Sequence, residues 1–440
     1  MENNNTRKWL KSHHDTLFPF FPYLKKKGIK WLFDRLGERE GEKGALYIHI
    51  PFCTGRCTFC ILTREYPSHT TKYVNSVLEE AREWSDYFSP VEAVYVGGGT
   101  PTSLSSEELK LLFDELGEIF QIENDAEISI ETTASELTED KMNLLAELGV
   151  NRLSVGVQTF NLGFRKVLGR RGASKEVIEK LNRAREVFPL LTIDVLYAIP
   201  EQEKRDVNAD LQKAVGIGLD GISLYPLIYS PKTAISKQFE PPPIETAIEI
   251  FKSAKSFLED NGYNHLNINH FSNGRDKFRY STYFNRLGNV LGLGAGATGF
   301  LADCYVKHQS ISEKYIRNRA GNVFNVPGNI IPVLWCVSQI QYGRIDIEEP
   351  RRRWGFDPLD AFTETIEKCV ERGEIIIVKN VIEFTTEGMF WANTIGAEMA
   401  VEYLYDGKAK RGELVSLEEK TSKIVKGIML NRISKKETRR

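Results

Sequence analysis

Between residue 45 and about residue 230 the chain alternates short apolar runs with longer stretches of helical periodicity. The runs fall at Ala45–Ile50, Ala93–Val96, Glu127–Glu131, Arg152–Val157, Thr192–Leu196 and Gly221–Tyr225. They are short and rich in aliphatic residues, which predicts strands rather than buried helices. The stretches between them, 71–87, 105–119, 138–148, 174–187 and 206–217, read as amphipathic helices. Two begin on cap-and-acid starts, Ser105-Ser106-Glu107-Glu108 and Thr138-Glu139-Asp140. Each of the first five strands is followed by a helix, and a further helix at about 243–261 follows the sixth. That order predicts parallel pairing through right-handed crossovers. Six such units are too few for a closed eight-stranded barrel but enough for an open, partial (β/α)6 barrel of the α/β class. In such barrels chemistry gathers at the C-terminal ends of the strands.

Past about residue 235 the pattern changes. Pro241-Pro242-Pro243 marks a break, and a glycine-rich segment, Gly292-Leu293-Gly294-Ala295-Gly296-Ala297, follows. From about 331 the chain reads as helices, then a hairpin of 374–378 and 381–385 turning at Lys379-Asn380, then a largely helical stretch from Glu387 to Ile428. Helices closed by a two-stranded wing predict a small winged-helix-like domain. The expected organisation is an N-terminal arm over 1–44, the barrel over 45–260, an extension with the glycine-rich loop over 261–330, and the small domain over 331–440. The apolar Leu17-Phe18-Pro19-Phe20-Phe21-Pro22 segment of the arm breaks on proline and suits a packed arm crossing the main domain.

Composition narrows the function classes. A chain of 440 residues exceeds the length at which one core stops growing, so at least two domains are expected. Hydrophobic residues make up 41% and charged residues 27%, as in ordinary globular proteins. No apolar run approaches the length of a membrane span, and the net charge of −2 argues against a nucleic-acid surface. Lys435, Lys436, Arg439 and Arg440 read as a solvated tail. Neither end reads as targeting, and six scattered cysteines fit a reducing compartment, so a cytoplasmic location with no membrane and no nucleic-acid partner is expected.

Six notable features fall at the expected strand ends. Cys53, Cys57 and Cys60 follow the first strand, Gly97-Gly98-Gly99-Thr100-Pro101 the second, and Glu131 closes the third. Gln158 follows the fourth, Asp194 lies in the fifth, and Tyr225 ends the sixth. The cysteine spacing, C-x3-C-x2-C, offers three thiolates where a closed zinc site wants four ligands. His49 and His69, the nearest additions, are not at finger spacing. Three thiolates around a four-iron cluster leave one iron free to bind an amino acid through its amine and carboxylate. Glycines beside it let backbone approach such a ligand closely. Cys304, Cys336 and Cys369 stand alone and read as buried thiols.

These ordered motifs resemble the radical S-adenosylmethionine (SAM) superfamily, in the HemN-like branch of the oxygen-independent coproporphyrinogen III oxidase and its relatives. The resemblance covers about residues 45–395. It rests on Tyr47-Ile-His49-Ile-Pro-Phe-Cys53 with Cys57 and Cys60, Gly97-Gly-Gly-Thr-Pro-Thr102 and Gly149-Val-Asn-Arg152-Leu-Ser-Val-Gly-Val-Gln158. Leu168-Gly-Arg170, Asp194-Val-Leu-Tyr-Ala-Ile-Pro200, Ile222-Ser-Leu-Tyr225 and Leu291-Gly-Leu-Gly-Ala-Gly-Ala297 complete it. It implies that Cys53, Cys57 and Cys60 hold a 4Fe–4S cluster and that Phe59 packs near the adenine of SAM. Tyr47 would contact its methionine end, and Gly98 and Gly99 its amino group. Glu131, Gln158, Arg170 and Asp194 would contact ribose, carboxylate or sulfonium. A second SAM can bind beside the first in this branch, with Thr100 and Gly294–Gly296 as candidates. One electron from the cluster would cleave SAM to methionine and a 5′-deoxyadenosyl radical, the electron coming from a donor such as flavodoxin or ferredoxin.

Two departures point within the branch. The oxidase carries a fourth cysteine two positions after the third, where this chain has Leu62 after Ile61. The heme-chaperone relatives show Arg-His-Asn and Tyr-Trp before the glycine loop, where this chain has Arg279-Tyr280-Ser281 and Phe284-Asn285. By elimination the expected function is that of the class C radical SAM methyltransferases and cyclopropanases. These transfer a methyl or methylene group from a second SAM to an sp2 carbon of a small-molecule or tetrapyrrole-like substrate. Coproporphyrinogen oxidation and heme carriage by a HemW-like chaperone are the alternatives.

Overall fold

The computed structural model describes residues 7–12, 16–37, 42–88 and 90–405. The chain divides into two compact units, one of Lys26–Phe324 and one of Met1–Lys25 with Asn325–Arg440.

The first unit is built on strands β1 (Gly44–Ile50), β2 (Val91–Gly98), β3 (Ile122–Thr133), β4 (Arg152–Gln158), β5 (Leu190–Tyr197) and β6 (Gly221–Pro226). β7 (Asn264–Asn267), β8 (His270–Ser272), β9 (Asn289–Leu293), β10 (Thr298–Leu301) and β11 (Cys304–Lys307) follow. Their order in the sheet is β11-β10-β9-β1-β2-β3-β4-β5-β6-β8-β7. The pairs from β1 through β6 are parallel, as the strand–helix alternation predicts. β9 is a seventh parallel strand, paired with β1 from Asn289↔Gly44 to Leu293↔Ile48. The glycine-rich segment is thus the end of a strand and the turn after it. Gly292 hides the strand pattern in sequence, yet a Cβ there would sit 2.8 Å from the Thr298 backbone.

The intervening helices are α1 (Thr70–Trp84), α2 (Ser106–Ile119), α3 (Glu139–Glu147), α4 (Leu162–Val167), α5 (Ser174–Val187), α6 (Lys204–Ile217) and α7 (Ile244–Asp260). The cap-and-acid starts act as read. Ser105 and Glu108 form a reciprocal capping box on α2, and the Thr138 hydroxyl accepts from the Lys141 N–H on α3. α4 is the helix that the sequence pattern passes over, being too short to show a period.

Alternation along the strands divides two environments. Leu46, Ile48, Ile50, Val94, Val96, Leu153, Val155, Leu191, Ile193, Val195, Ile222 and Leu224 are buried. Burying one such side chain stabilises by about 1.5–3 kcal/mol. The alternate residues, Tyr47, Tyr95, Glu131, Arg152, Asp194 and Ser223, carry rings, hydroxyls and charges into the barrel. α8 (Arg279–Asn285) fits the interior because Ala45, Ala93 and Val290 leave room for Tyr280, Tyr283 and Phe284.

In the second unit, helices Ile331–Gln339, Glu348–Trp354 and Thr363–Glu371 accompany a three-stranded sheet and a long helix, Thr386–Tyr405. The hairpin strands are Ile375–Val378 and Val381–Phe384, and Arg344–Asp346 adds a third. The start of the arm, through Lys25, belongs to this unit. The Arg7 guanidinium donates to both Glu398 carboxylate oxygens, at 3.1 and 2.8 Å, and stacks 4.6 Å from Trp391. The expected helix beyond Tyr405 and the basic tail lie outside the described residues. Among the described residues no helix is long and apolar enough to cross a membrane.

Candidate radical SAM site

The cysteine loop is closed by its own backbone. The Cys53 N–H donates to the Glu65 carbonyl and the Glu65 N–H to the Pro51 carbonyl, both at 2.9 Å. The end of α4 and the segment after β6 hold its middle. The Thr58 N–H donates to the Leu168 carbonyl at 3.2 Å, its hydroxyl to the Val167 carbonyl at 2.8 Å, and the Ile235 N–H to the Thr58 carbonyl at 3.0 Å. The Arg64 guanidinium donates to the Cys57 carbonyl at 3.2 Å. Cys53, Cys57 and Cys60 are free of disulfides and half-buried, whereas Cys304, Cys336 and Cys369 are buried. Burial raises the Cys53 thiol above its ordinary value, and the nearby Cys60 and Cys57 push the same way. Thr100 lies against this thiol, Oγ1 to Sγ 3.5 Å.

The glycine triple is shaped by what approaches it. Gly98 has φ +113°, and a Cβ there would sit 2.8 Å from the His49 ring. A Cβ on Gly99 would lie 2.5 Å from the Phe52 carbonyl oxygen and 3.1 Å from Cys53 Sγ. Glu131 fixes the triple from the next strand. Its Oε2 accepts from the Gly98 N–H at 3.0 Å and its Oε1 from the Tyr95 hydroxyl at 2.6 Å. Burial lifts the Glu131 carboxyl to about 7, outweighing the opposing pull of the Tyr95 bond.

Gln158 and Arg170 meet over Gly156. A Cβ at Gly156 would lie 3.0 Å from Gln158 Nε2 and 3.2 Å from an Arg170 terminal nitrogen. Gln158 reaches there through a register irregularity in β4 and a φ of +74°, a strained conformation for this residue type. The Arg170 guanidinium lies 5.6 Å from the Phe59 ring centroid, and its Nε is buried without a hydrogen-bond partner. Phe59 itself packs on Leu168, Leu196, Ile199, Leu227 and Ile235. Asp194 stands opposite Gly156 on one side and Ser223 on the other. Burial raises its carboxyl above the usual range against the opposing Ser223 hydroxyl.

Other expected contacts are arranged differently. The Tyr47 hydroxyl is engaged by His49 Nδ1 at 2.7 Å, and its ring stacks on Tyr280 at 5.3 Å. Burial lowers the His49 imidazole to about 4, so it is neutral near pH 7. The Gly294–Gly296 loop packs on this histidine's main chain and ring, and the Ala295 N–H donates to the Tyr73 hydroxyl at 2.7 Å. Thr100 and that loop thus have structural partners of their own. Sequence reasoning took Tyr280 only as a departure from the chaperone pattern and missed Tyr95, Ser223, His270 and Asp276 as interior residues. Alternation could have placed Tyr95 and Ser223 on the inner face.

The residues present fit a 4Fe–4S cluster with SAM. Soft thiols gather on one loop, a glycine cradle adjoins them, and a buried guanidinium nitrogen lacks a partner, as a carboxylate would supply.

Comparison with known proteins agrees. Residues 47–214 match the radical SAM superfamily. The heme chaperone HemW of Lactococcus lactis is 30% identical over 282 residues, 62% of this chain and 73% of that protein. The oxygen-independent coproporphyrinogen III oxidase of Escherichia coli K12 is 27% identical over 385 residues, 78% of this chain and 82% of that protein. The solved structure of coproporphyrinogen III oxidase (HemN) from Escherichia coli superposes with a TM-score of 0.75 at 22% identity, covering 90% of this chain and 99% of that one. These relatives overturn the expectation of methyl or methylene transfer, which rested in part on elimination, because they are heme chaperones and a coproporphyrinogen oxidase. Two missing side chains, a cysteine and a histidine, carry less weight than resemblance along most of the chain. The chain therefore belongs to the radical SAM superfamily, in its HemN-like branch.

Proposed function

We propose that this protein is a radical SAM enzyme that oxidises a tetrapyrrole, by oxidative decarboxylation of propionate side chains as in oxygen-independent coproporphyrinogen III oxidase. The observation that supports this reading over heme carriage is the place of Tyr280. It stands where the chaperone relatives carry histidine, and its ring stacks against both Tyr47, at 5.3 Å, and Tyr95, at 4.7 Å. A side chain built into the barrel interior in this way offers no free imidazole to a heme iron. A second reading, heme carriage, draws on the 30% identity to HemW.

When bound, the cluster and SAM supply a 5′-deoxyadenosyl radical after one-electron reduction. Cys53, Cys57 and Cys60 would ligate the cluster, and Gly98 and Gly99 would receive the SAM amino group. Arg170, with Gln158 beside it, would pair the SAM carboxylate, while Glu131 and Asp194 would face its positive charge or ribose. Phe59 would cover the adenine. Exposed Ile61 and Leu62 beside the half-buried cysteines would leave an approach for a one-electron donor such as flavodoxin or ferredoxin.

The test is anaerobic incubation of cluster-reconstituted protein with reductant, SAM and coproporphyrinogen III. Carbon dioxide release with 5′-deoxyadenosine supports the oxidase reading. Stoichiometric heme binding with coproporphyrinogen left intact supports the carrier reading instead.

A further inference from the structure

The cysteine loop reaches the surface on one side. Ile61 and Leu62, directly after Cys60, are 45% and 49% exposed. Arg56, between Cys53 and Cys57, is exposed as well. The two segments that hold Thr58 carry further cations beside their contacts. Lys166 precedes Val167, whose carbonyl accepts from the Thr58 hydroxyl at 2.8 Å. Arg171 follows closely on Leu168, whose carbonyl accepts from the Thr58 N–H at 3.2 Å, and Lys237 on Ile235, whose N–H donates to the Thr58 carbonyl at 3.0 Å. Lys166, Arg171 and Lys237 are all exposed. A Cβ on Gly169 would lie 3.1 Å from the Arg56 carbonyl oxygen, so the turn after α4 packs directly on the loop.

These four cations differ from others on the surface in being unpaired. Among the described residues Arg56, Lys166, Arg171 and Lys237 form no ion pair. Cations on the outer helices are matched: Lys110 with Asp114 at 2.8 Å, Arg183 with Glu139 at 2.9 Å, and Arg82 with Glu115. Glu65 and Glu136, which touch the loop, are already engaged. Glu65 accepts from the Ser312 N–H and hydroxyl, at 2.7 and 2.6 Å. Glu136 accepts from the Thr54 hydroxyl at 2.5 Å and from Lys141 Nζ at 3.4 Å. In a chain whose net charge is −2, four like charges around one loop make a local positive field. An apolar centre, Ile61-Leu62, within a charged rim has the composition of a protein interface steered by charge.

We infer that this face docks a small one-electron carrier protein whose redox group is ringed by carboxylates. The inference rests on the reading of Cys53, Cys57 and Cys60 as cluster ligands, and it assigns the docking surface and its sign. Cys57 and Cys60 flank Thr58, so the cations surround the stretch that carries two of the thiols. One electron passes from the carrier to the cluster; the carrier is oxidised, the cluster is reduced, and no bond is made or broken at that step. An anionic tetrapyrrole suits these cations less well. They stand exposed on turns outside the barrel, whereas the interior is lined by rings such as Tyr47, Tyr95 and Tyr280.

The experiment is calorimetric titration of the reconstituted, oxidised holoprotein with flavodoxin and with a plant-type ferredoxin, at low and at higher salt. The triple variant Arg56→Gln, Lys166→Gln, Lys237→Gln should bind the carrier about 10-fold or more weakly at low salt, a gap that narrows as salt screens the field. A control losing the same charge elsewhere, Arg82→Gln, Lys110→Gln, Arg183→Gln, should bind as the unmodified protein does. SAM cleavage driven by dithionite, which needs no docking, should be equal in all three at equal iron content. Cleavage driven by reduced flavodoxin should fall in the first variant alone. Equal carrier binding by that variant and the unmodified protein, an equal loss in the control, or no binding of either carrier at low salt would overturn the inference. So would a raised KM for coproporphyrinogen III with carrier binding unchanged, which would give the patch to the anionic substrate. No 5′-deoxyadenosine from the unmodified protein with dithionite would overturn the cluster reading instead.

Discussion

Glu131 on β3 accepts the backbone N–H of Gly98 on β2 at 3.0 Å, which ties a carboxyl lifted to about 7 to the glycine cradle beside the cysteine loop. In the folded protein this group binds its proton more tightly than in the unfolded chain. Its contribution to stability is therefore most favourable at acid pH and declines as pH rises from about 4.5 to about 7. SAM binding carries the opposite sign, since a cation prefers the ionised carboxylate. SAM affinity should climb as pH rises through about 7, measured by equilibrium titration, and Glu131→Gln should flatten that climb.

Arg170→Met should weaken SAM binding by roughly 10- to 100-fold, the equivalent of a charge-assisted hydrogen bond of about 1.5–3 kcal/mol. Arg170→Lys should recover only part of this, because an ammonium cannot reproduce the planar fork. Equilibrium dialysis with SAM checks both. Iron content should be unchanged in each, because Arg170 does not reach the cysteines through any ligand role.

Gly99→Ala should disturb the cysteine loop itself. Its methyl would fall 2.5 Å from the Phe52 carbonyl oxygen and 3.1 Å from Cys53 Sγ, so the loop must shift. A loss of about 1–3 kcal/mol in stability is expected from such overpacking, together with reduced iron and sulfide per chain after reconstitution. Denaturant titration and iron analysis measure the two effects separately.

Asp276→Asn should destabilise the barrel by about 3–5 kcal/mol, because it leaves the Arg152 guanidinium buried without its anion. Urea unfolding measures this directly. Replacing both partners, Arg152→Met with Asp276→Asn, should recover part of the loss.

The barrel was legible in sequence because its strands are buried by helices on one side. That environment demands aliphatic runs such as Leu153–Val157 and periodic helices such as Ser174–Val187. β9 was not, since Gly292 serves a close approach of Thr298 and removes the strand signal. The candidate site residues were legible where a rare side-chain type falls at a strand end, as with Cys53 and Glu131. The contacts of His270 with Ser223, 2.9 Å, and Asp276, 2.7 Å, were hidden because the first arises from the register of distant strands and the second from the loop after β8. The expectation of methyl transfer failed for a related reason. It leaned on the loss of single side chains at 62 and 280, whereas Tyr280 is accommodated by its neighbours Tyr47 and Tyr95.

The central claim is that this site cleaves SAM to oxidise a tetrapyrrole. Its most direct test is mass spectrometry of an anaerobic reaction holding reconstituted protein, reductant, SAM and coproporphyrinogen III, with Cys57→Ala as the control. The account predicts 5′-deoxyadenosine together with tetrapyrrole products that have lost carbon dioxide, both absent from the control. An unchanged tetrapyrrole alongside an iron-replete protein, or 5′-deoxyadenosine formed equally by Cys57→Ala, would contradict it.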